Sequence, residues 1–221
     1  MSTFPNSPKL VRGGLVVIDP ATAQTLRVIL LQYNPDTLTR TLQVQGAGGE
    51  AGDRLESLRL KGPPIETIKL EAELDATDAL EHPDQHLDTA RNGLLPQLAA
   101  LELLIYPATE HLVQQNLDTL RGMMEIFPME TPLTIFVWGK SRIMPVRLTE
   151  LSVTEEAFDS ALNPTRAKVS LGLRVLSVSD LGFTHRGGQV YLAYQREKEA
   201  LGQLGLSLDL QPLGIKRITG G

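Results

Sequence analysis

An α+β fold dominated by β-structure, with antiparallel sheets packed on each other around a central helical segment, is the class this sequence predicts. Three observations predict it. Segments of strand-like alternation lie on both sides of one stretch with helical spacing. Turn chemistry (Asn34-Pro35-Asp36, Gly139-Lys140-Ser141) separates those segments. Apolar residues make up 42% of 221 residues, enough for a real core, yet aromatics are only 5%, so Leu, Val and Ile must fill it. Residues 1–182 are expected to form the main domain, and 183–221 a C-terminal helix followed by an extended arm.

The strands are read in chain order. Gly13 to Asp19 is a short strand stopped at Asp19-Pro20. Thr25 to Tyr33 is apolar on both faces, with Leu26, Val28 and Leu30 on one and Ile29 and Leu31 on the other, so it reads as central and covered on both sides. Thr37 to Gln45 alternates, with Leu38, Leu42 and Val44 in phase and Arg40 interrupting the apolar row. These two strands and the tight turn between them read as a hairpin. Ile65 to Leu74 alternates cleanly, Ile68, Leu70, Ala72 and Leu74 against Thr67, Lys69, Glu71 and Glu73. Leu133 to Trp138 is apolar on both faces, and Arg142 to Val153 changes phase near Thr149 and Glu150, the sign of a β-bulge. Thr154 to Pro164 reads as a polar connection. Thr165 to Val178 turns Ala167, Val169, Leu171, Leu173 and Val175 inward and Arg166, Lys168, Ser170 and Arg174 outward.

Helical spacing runs from Pro83 to Ile105 through Leu87, Ala90, Leu94, Leu98 and Leu101, broken into two pieces by Gly93 and Pro96. A weaker helix is expected from Glu110 to Phe127, and an amphipathic one from Val190 to Leu204. Gly46 to Pro64 has no period, holds four glycines before Asp53, and is a long loop of the kind that is functional or orders on binding.

Net charge is −5, so there is no basic stripe to hold nucleic acid or an anionic membrane surface. No cysteine is present, which excludes disulfides, thiol catalysis and thiolate metal sites. No stretch of ~18 apolar residues occurs. The N-terminal residues lack a basic region followed by an apolar one, so assembly in the cytoplasm without a signal peptide is expected.

Chemistry finds little footing. His82 and His86 have the i, i+4 spacing that zinc would use, but Pro83 places them at a helix start, where an exposed polar turn is the better reading. Glu71 and Glu73 share a strand face without a partner to shift either. Asp75, Asp78, Glu81 and Asp84 match no calcium loop. Gly46-Ala47-Gly48-Gly49 lacks the lysine–serine pair of a phosphate loop, and no G-x-S-x-G elbow exists. No catalytic residue, cofactor or metal is expected. The residues suited to holding other chains are Gly48, Gly49, Asp53 and Arg54 in the long loop, Lys69, Glu71 and Glu73 on a strand face, and Tyr191 and Tyr194 on the C-terminal helix.

Three stretches carry a resemblance. Val28-Ile29-Leu30-Leu31-Gln32-Tyr33-Asn34-Pro35-Asp36-Thr37-Leu38-Thr39-Arg40 is similar to the opening hairpin of contractile injection system tube proteins. Ile135-Phe136-Val137-Trp138-Gly139 resembles the strand ending in Trp-Gly of that family's second half. Phe158-Asp159-Ser160-Ala161-Leu162-Asn163-Pro164-Thr165-Arg166-Ala167 resembles the loop that leads into its last strand. The resemblance spans about residues 9–180. It implies the tail-tube fold of two packed antiparallel sheets with a helix. It implies a structural, non-enzymatic subunit of a phage-tail-like particle, assembled as a six-membered ring at the baseplate. The implied partners are further copies of the chain, the inner-tube protein, the spike or hub protein and the baseplate wedge proteins, with release of the particle from the cell. The C-terminal LysM domain of many relatives has no counterpart, since no Gly-Asp-x-Leu signature follows Gly182. Weighed beside this are an inner-tube subunit of the same particle, a small-ligand-binding β-barrel, and a hydrolase, the last disfavoured by the missing nucleophile.

Overall fold

The computed structural model describes residues 11–46, 59–120, 131–207 and 209–213. The strands are β1 (Gly14–Ile18), β2 (Thr25–Leu30), β3 (Leu38–Gln43), β4 (Ile65–Asp75), β5 (Leu133–Val137), β6 (Ile143–Phe158) and β7 (Pro164–Val175). The helices are α1 (Thr77–Leu80), α2 (Leu87–Asn92), α3 (Leu95–Glu102), α4 (Thr109–Leu120), α5 (Val178–Leu181) and α6 (Arg186–Leu204). Mixed α and β with an antiparallel sheet is the expected class. The seven strands, however, form one hydrogen-bonded sheet in the order β2-β1-β5-β6-β7-β4-β3, where two were anticipated.

That order corrects two expectations. β2 and β3 are not a hairpin: β2 pairs with β1, β3 pairs with β4, and they lie at opposite edges. β2 is therefore not central. Leu26, Val28 and Leu30 are 53%, 54% and 58% exposed, whereas Ile29 and Leu31 turn into the core. A run apolar on both faces states that both faces can be covered; it does not state that both are. The strand that ends the sequence pattern at Val153 also runs on to Phe158, because Thr154 to Phe158 pairs with the start of β7. Exposed polar side chains there mark a solvated ladder, not a loop.

Register assigns the faces. Paired residues in antiparallel strands share a face, so Leu15, Phe136, Met144, Val146, Leu173, Leu171, Val169, Ile68, Leu70 and Ala72 form one continuous inner row. All belong to the core cluster. The expected bulge is present as a register shift between Leu148 and Glu150, and it keeps Leu151 and Val153 on the inner side of a long strand. The sheet curls. The Gln32 side chain, just past β2, donates to Asp75 O (2.7 Å) and accepts from Asp75 N (2.8 Å) at the far end of β4, the two bonds a paired strand residue would make. Asn34 fastens the same turn to the start of β1, accepting from Gly13 N (2.9 Å) and donating to Val11 O (2.9 Å).

The helical stretch breaks where Gly93 and Pro96 said it would, with Pro96 in the first turn of α3, where its missing N–H costs nothing. Gly93 has φ +56°, and a Cβ there would strike the carbonyl of Pro164. This close approach lets Leu94 N donate to Pro164 O (2.8 Å) and Asn163 Nδ2 donate to Arg91 O (3.1 Å), so the β6–β7 turn grips the α2–α3 junction. α5 opens on a capping box: Ser179 N donates to Ser177 Oγ (3.2 Å) and Ser177 N to Asp180 Oδ2 (2.8 Å). α6 packs on β6 and begins at Arg186, earlier than the apolar spacing indicated.

Candidate assembly surfaces and a buried ion cluster

The outer face of β6, β7, β4 and β3 presents Lys69, Glu71 and Glu73 beside Lys168, Ser152, Thr154, Thr39 and Thr41. The three β4 residues are exposed and aligned, as their spacing indicated. Their charges alternate with those of the neighbours. Lys69 Nζ lies 3.5 Å from Glu150 Oε2, and Lys168 Nζ lies 2.8 Å from Glu156 Oε1. Pairs this exposed are worth little to folding. They set a pattern that a facing surface can read.

Gly48, Gly49, Asp53 and Arg54 lie outside the described residues. The stem of their loop is described: Gly46 and Leu60 form an antiparallel bridge, and Lys61 N donates to Gln45 O (2.9 Å). Tyr191 and Tyr194 require a correction. They are 6% and 4% exposed and belong to the core cluster. Side chains that fill the core cannot also meet another chain without leaving it. The spacing that made α6 amphipathic is the spacing that turns these rings inward. His82 lies before α2 and His86 at its cap, so no helix face holds the pair, and among the described residues no group of three or more His, Asp or Glu could hold a metal.

What the residue reading missed is Glu66. It is 3% exposed, on the inner face at the start of β4. Arg40 donates to its Oε1 from Nε (2.8 Å) and Nη2 (2.6 Å), and Lys198 on α6 donates to Oε2 (3.0 Å). The Tyr194 hydroxyl donates to Oε1 (3.2 Å) and accepts from Arg40 Nη2 (3.0 Å), and Lys198 Nζ sits 4.1 Å from the centre of the Tyr194 ring. Burial works against the Glu66 charge, but the hydrogen bonds and charges of Lys198 and Arg40 outweigh it and hold the carboxyl below its ordinary value. Burial and the adjacent Glu66 charge push the Tyr194 hydroxyl well above its ordinary value. A carboxyl held low and a phenol held high are poorly matched to proton transfer near neutral pH. The cluster is a staple that joins β3, β4 and α6. The signal was present: Arg40 interrupts the β3 apolar row, and the inner phase of β4, extended back from Ile68, lands on Glu66.

No helix among the described residues is long and apolar enough to cross a membrane. The chain matches no protein-family model and no curated protein sequence.

Proposed function

We propose that the chain is a structural subunit of a phage-tail-like contractile injection particle, one copy of a ring at the baseplate end that joins the inner tube to the spike hub. One observation carries the reading. The sheet is open and curled, with one face closed on a single core and the other running as an exposed polar surface across β6, β7, β4 and β3. Such a sheet suits a subunit whose solvated face turns toward a channel and that assembles with copies of itself. A curled sheet is compatible with the closure the tail-tube fold calls for, and Asn34-Pro35, central to the resemblance, is the turn that fastens β1.

The test is affinity purification of the tagged chain from its native host, followed by negative-stain microscopy with a gold label on the tag. Sheathed rods labelled at one end are expected. Label along the whole rod would move the chain to the inner tube, and a monomer with no particle and no co-purifying chain would refute the reading. Exchanging the signs of Lys69, Glu71 and Glu73 is expected to leave the melting temperature unchanged and to reduce the yield of assembled particles.

A further inference from the structure

We infer that the free edge of β2, with the cleft beside it, is a docking site for an extended strand of another protein, apolar at alternate residues and carrying Lys or Arg between them. The cleft has a volume of about 680 Å³. Val28, Ile29, Leu30 and Leu31 all line it. Successive residues of a strand point to opposite faces, so a cleft lined by both parities wraps the strand's edge; it does not lie on one face. The opposite wall is Ala72 and Leu74 of β4 with Val169 and Leu171 of β7, apolar side chains of the inner row.

Among the described residues the backbone of this edge meets no partner strand, and its outward groups follow a defined pattern. Leu31 N donates to Gly13 O (3.0 Å), so the odd residues of β2 direct their N–H and C=O groups to β1. Antiparallel ladders alternate, which turns the N–H and C=O groups of Val28 and Leu30 away from β1 and into the cleft. A residue in a strand occupies about 3.4 × 4.8 × 10 Å, or about 160 Å³. The cleft therefore takes about four strand residues, the length that meets both outward pairs. An apolar small molecule would fill the volume and leave those polar groups unsatisfied. An added strand satisfies them.

Two further features select the strand. Among the described residues Asp84 and Asp88 are the formally charged ones that line the cleft, so its wall is acidic and favours a basic side chain. Residues of α2 and α3 overhang it, and Arg27 Nη1 donates to Ala100 O (3.1 Å), fixing α3 against β2. That overhang admits a single strand, whereas the edge of a second folded sheet would bring its own flanking elements against the helices. The inference does not rest on the ring reading: a chain that enters no particle would still bind the strand.

The experiment uses the full-length chain and an array of fluorescein-labelled eight-residue peptides with Val, Ile or Leu at alternate positions and Lys, Ser or Glu between them, read by fluorescence anisotropy. The protein variants are V28P, which removes an outward N–H that β1 does not use, and the pair D84N with D88N. Micromolar binding of lysine peptides is expected, at least tenfold weaker to V28P, several-fold weaker to the aspartate variants, and lost when the peptide's alternate amides are N-methylated. The N-methylated peptides make the same test from the ligand side should V28P fail to fold. Absence of binding across the array, equal affinity for V28P and wild type, or preference for glutamate peptides would overturn the inference. Wild-type self-association abolished by V28P would also overturn it, by giving the site to a second copy.

Discussion

Replacing Glu66 with glutamine removes the carboxylate that Arg40 and Lys198 share. The side chain keeps its shape and one acceptor, so the loss reports charge and hydrogen bonding. Stranding a buried charge by removing its partner costs about 3–5 kcal/mol. Here the two cations are not fully buried: the side chains of Arg40 and Lys198 are 28% and 30% exposed and recover part of their hydration. A loss of about 2–3 kcal/mol follows, or about 4–12 °C in Tm for a domain of this size. The assay is urea unfolding followed by circular dichroism, run as a double-mutant cycle with R40Q. The coupling between Arg40 and Glu66 is expected at about 1–3 kcal/mol. The exposed Lys69–Glu150 pair is the internal reference and is expected to couple by less than about 0.5 kcal/mol. If E66Q unfolds within about 0.5 kcal/mol of wild type, or the two couplings are equal, the cluster is not the staple described.

Other outcomes follow from the same structure. The Glu66 carboxyl is held below its ordinary value of 4.5, so its stabilisation is complete above that value and is lost as pH falls through the lower folded value. Thermal melts are expected to be flat from neutral pH to about pH 5 and to fall below it, with a shallower fall in E66Q. G93A forces a left-handed residue to carry a Cβ against the Pro164 carbonyl and is expected to cost at least about 2 kcal/mol in urea unfolding. G188A places a Cβ against the carbonyl of Gly182 and is expected to expose α6 to limited proteolysis before the sheet unfolds. Replacing residues 48–58 by an Asn-Gly turn is expected to leave the melt unchanged, since a two-residue turn keeps the register of the Gly46–Leu60 bridge, and to block particle assembly in the host.

Much of the candidate site was legible at the level of single elements. The clean alternation of Ile65 to Leu74 announced that Lys69, Glu71 and Glu73 would be exposed, and they are; Thr67, in the same phase, is half-buried. The phase change near Thr149 announced the bulge, and Gly93 with Pro96 announced the break between α2 and α3. Each is a local effect: pleat, ladder insertion and a missing N–H act within a few residues. The staple was half legible. Arg40 and Glu66 each occupy an inner phase, but nothing local says that β3 and β4 are neighbours or that Lys198, 132 positions away, completes the cluster.

The amino-acid sequence by itself determined where most of the elements lie, which parity of the alternating strands is apolar, and that no cysteine is present to offer chemistry. Tertiary structure alone decided the order of the strands. It placed β2 and β3 at opposite edges of one sheet, although only a short turn separates them, and it turned Tyr191 and Tyr194 from a presumed surface into core. The physical reason is that periodicity reports what a face is able to bury, whereas pairing depends on which distant strands compete for the same edge. β2 pairs with β1 and β3 with β4, and Gln32 and Asn34 hold the intervening turn where a hairpin would have closed.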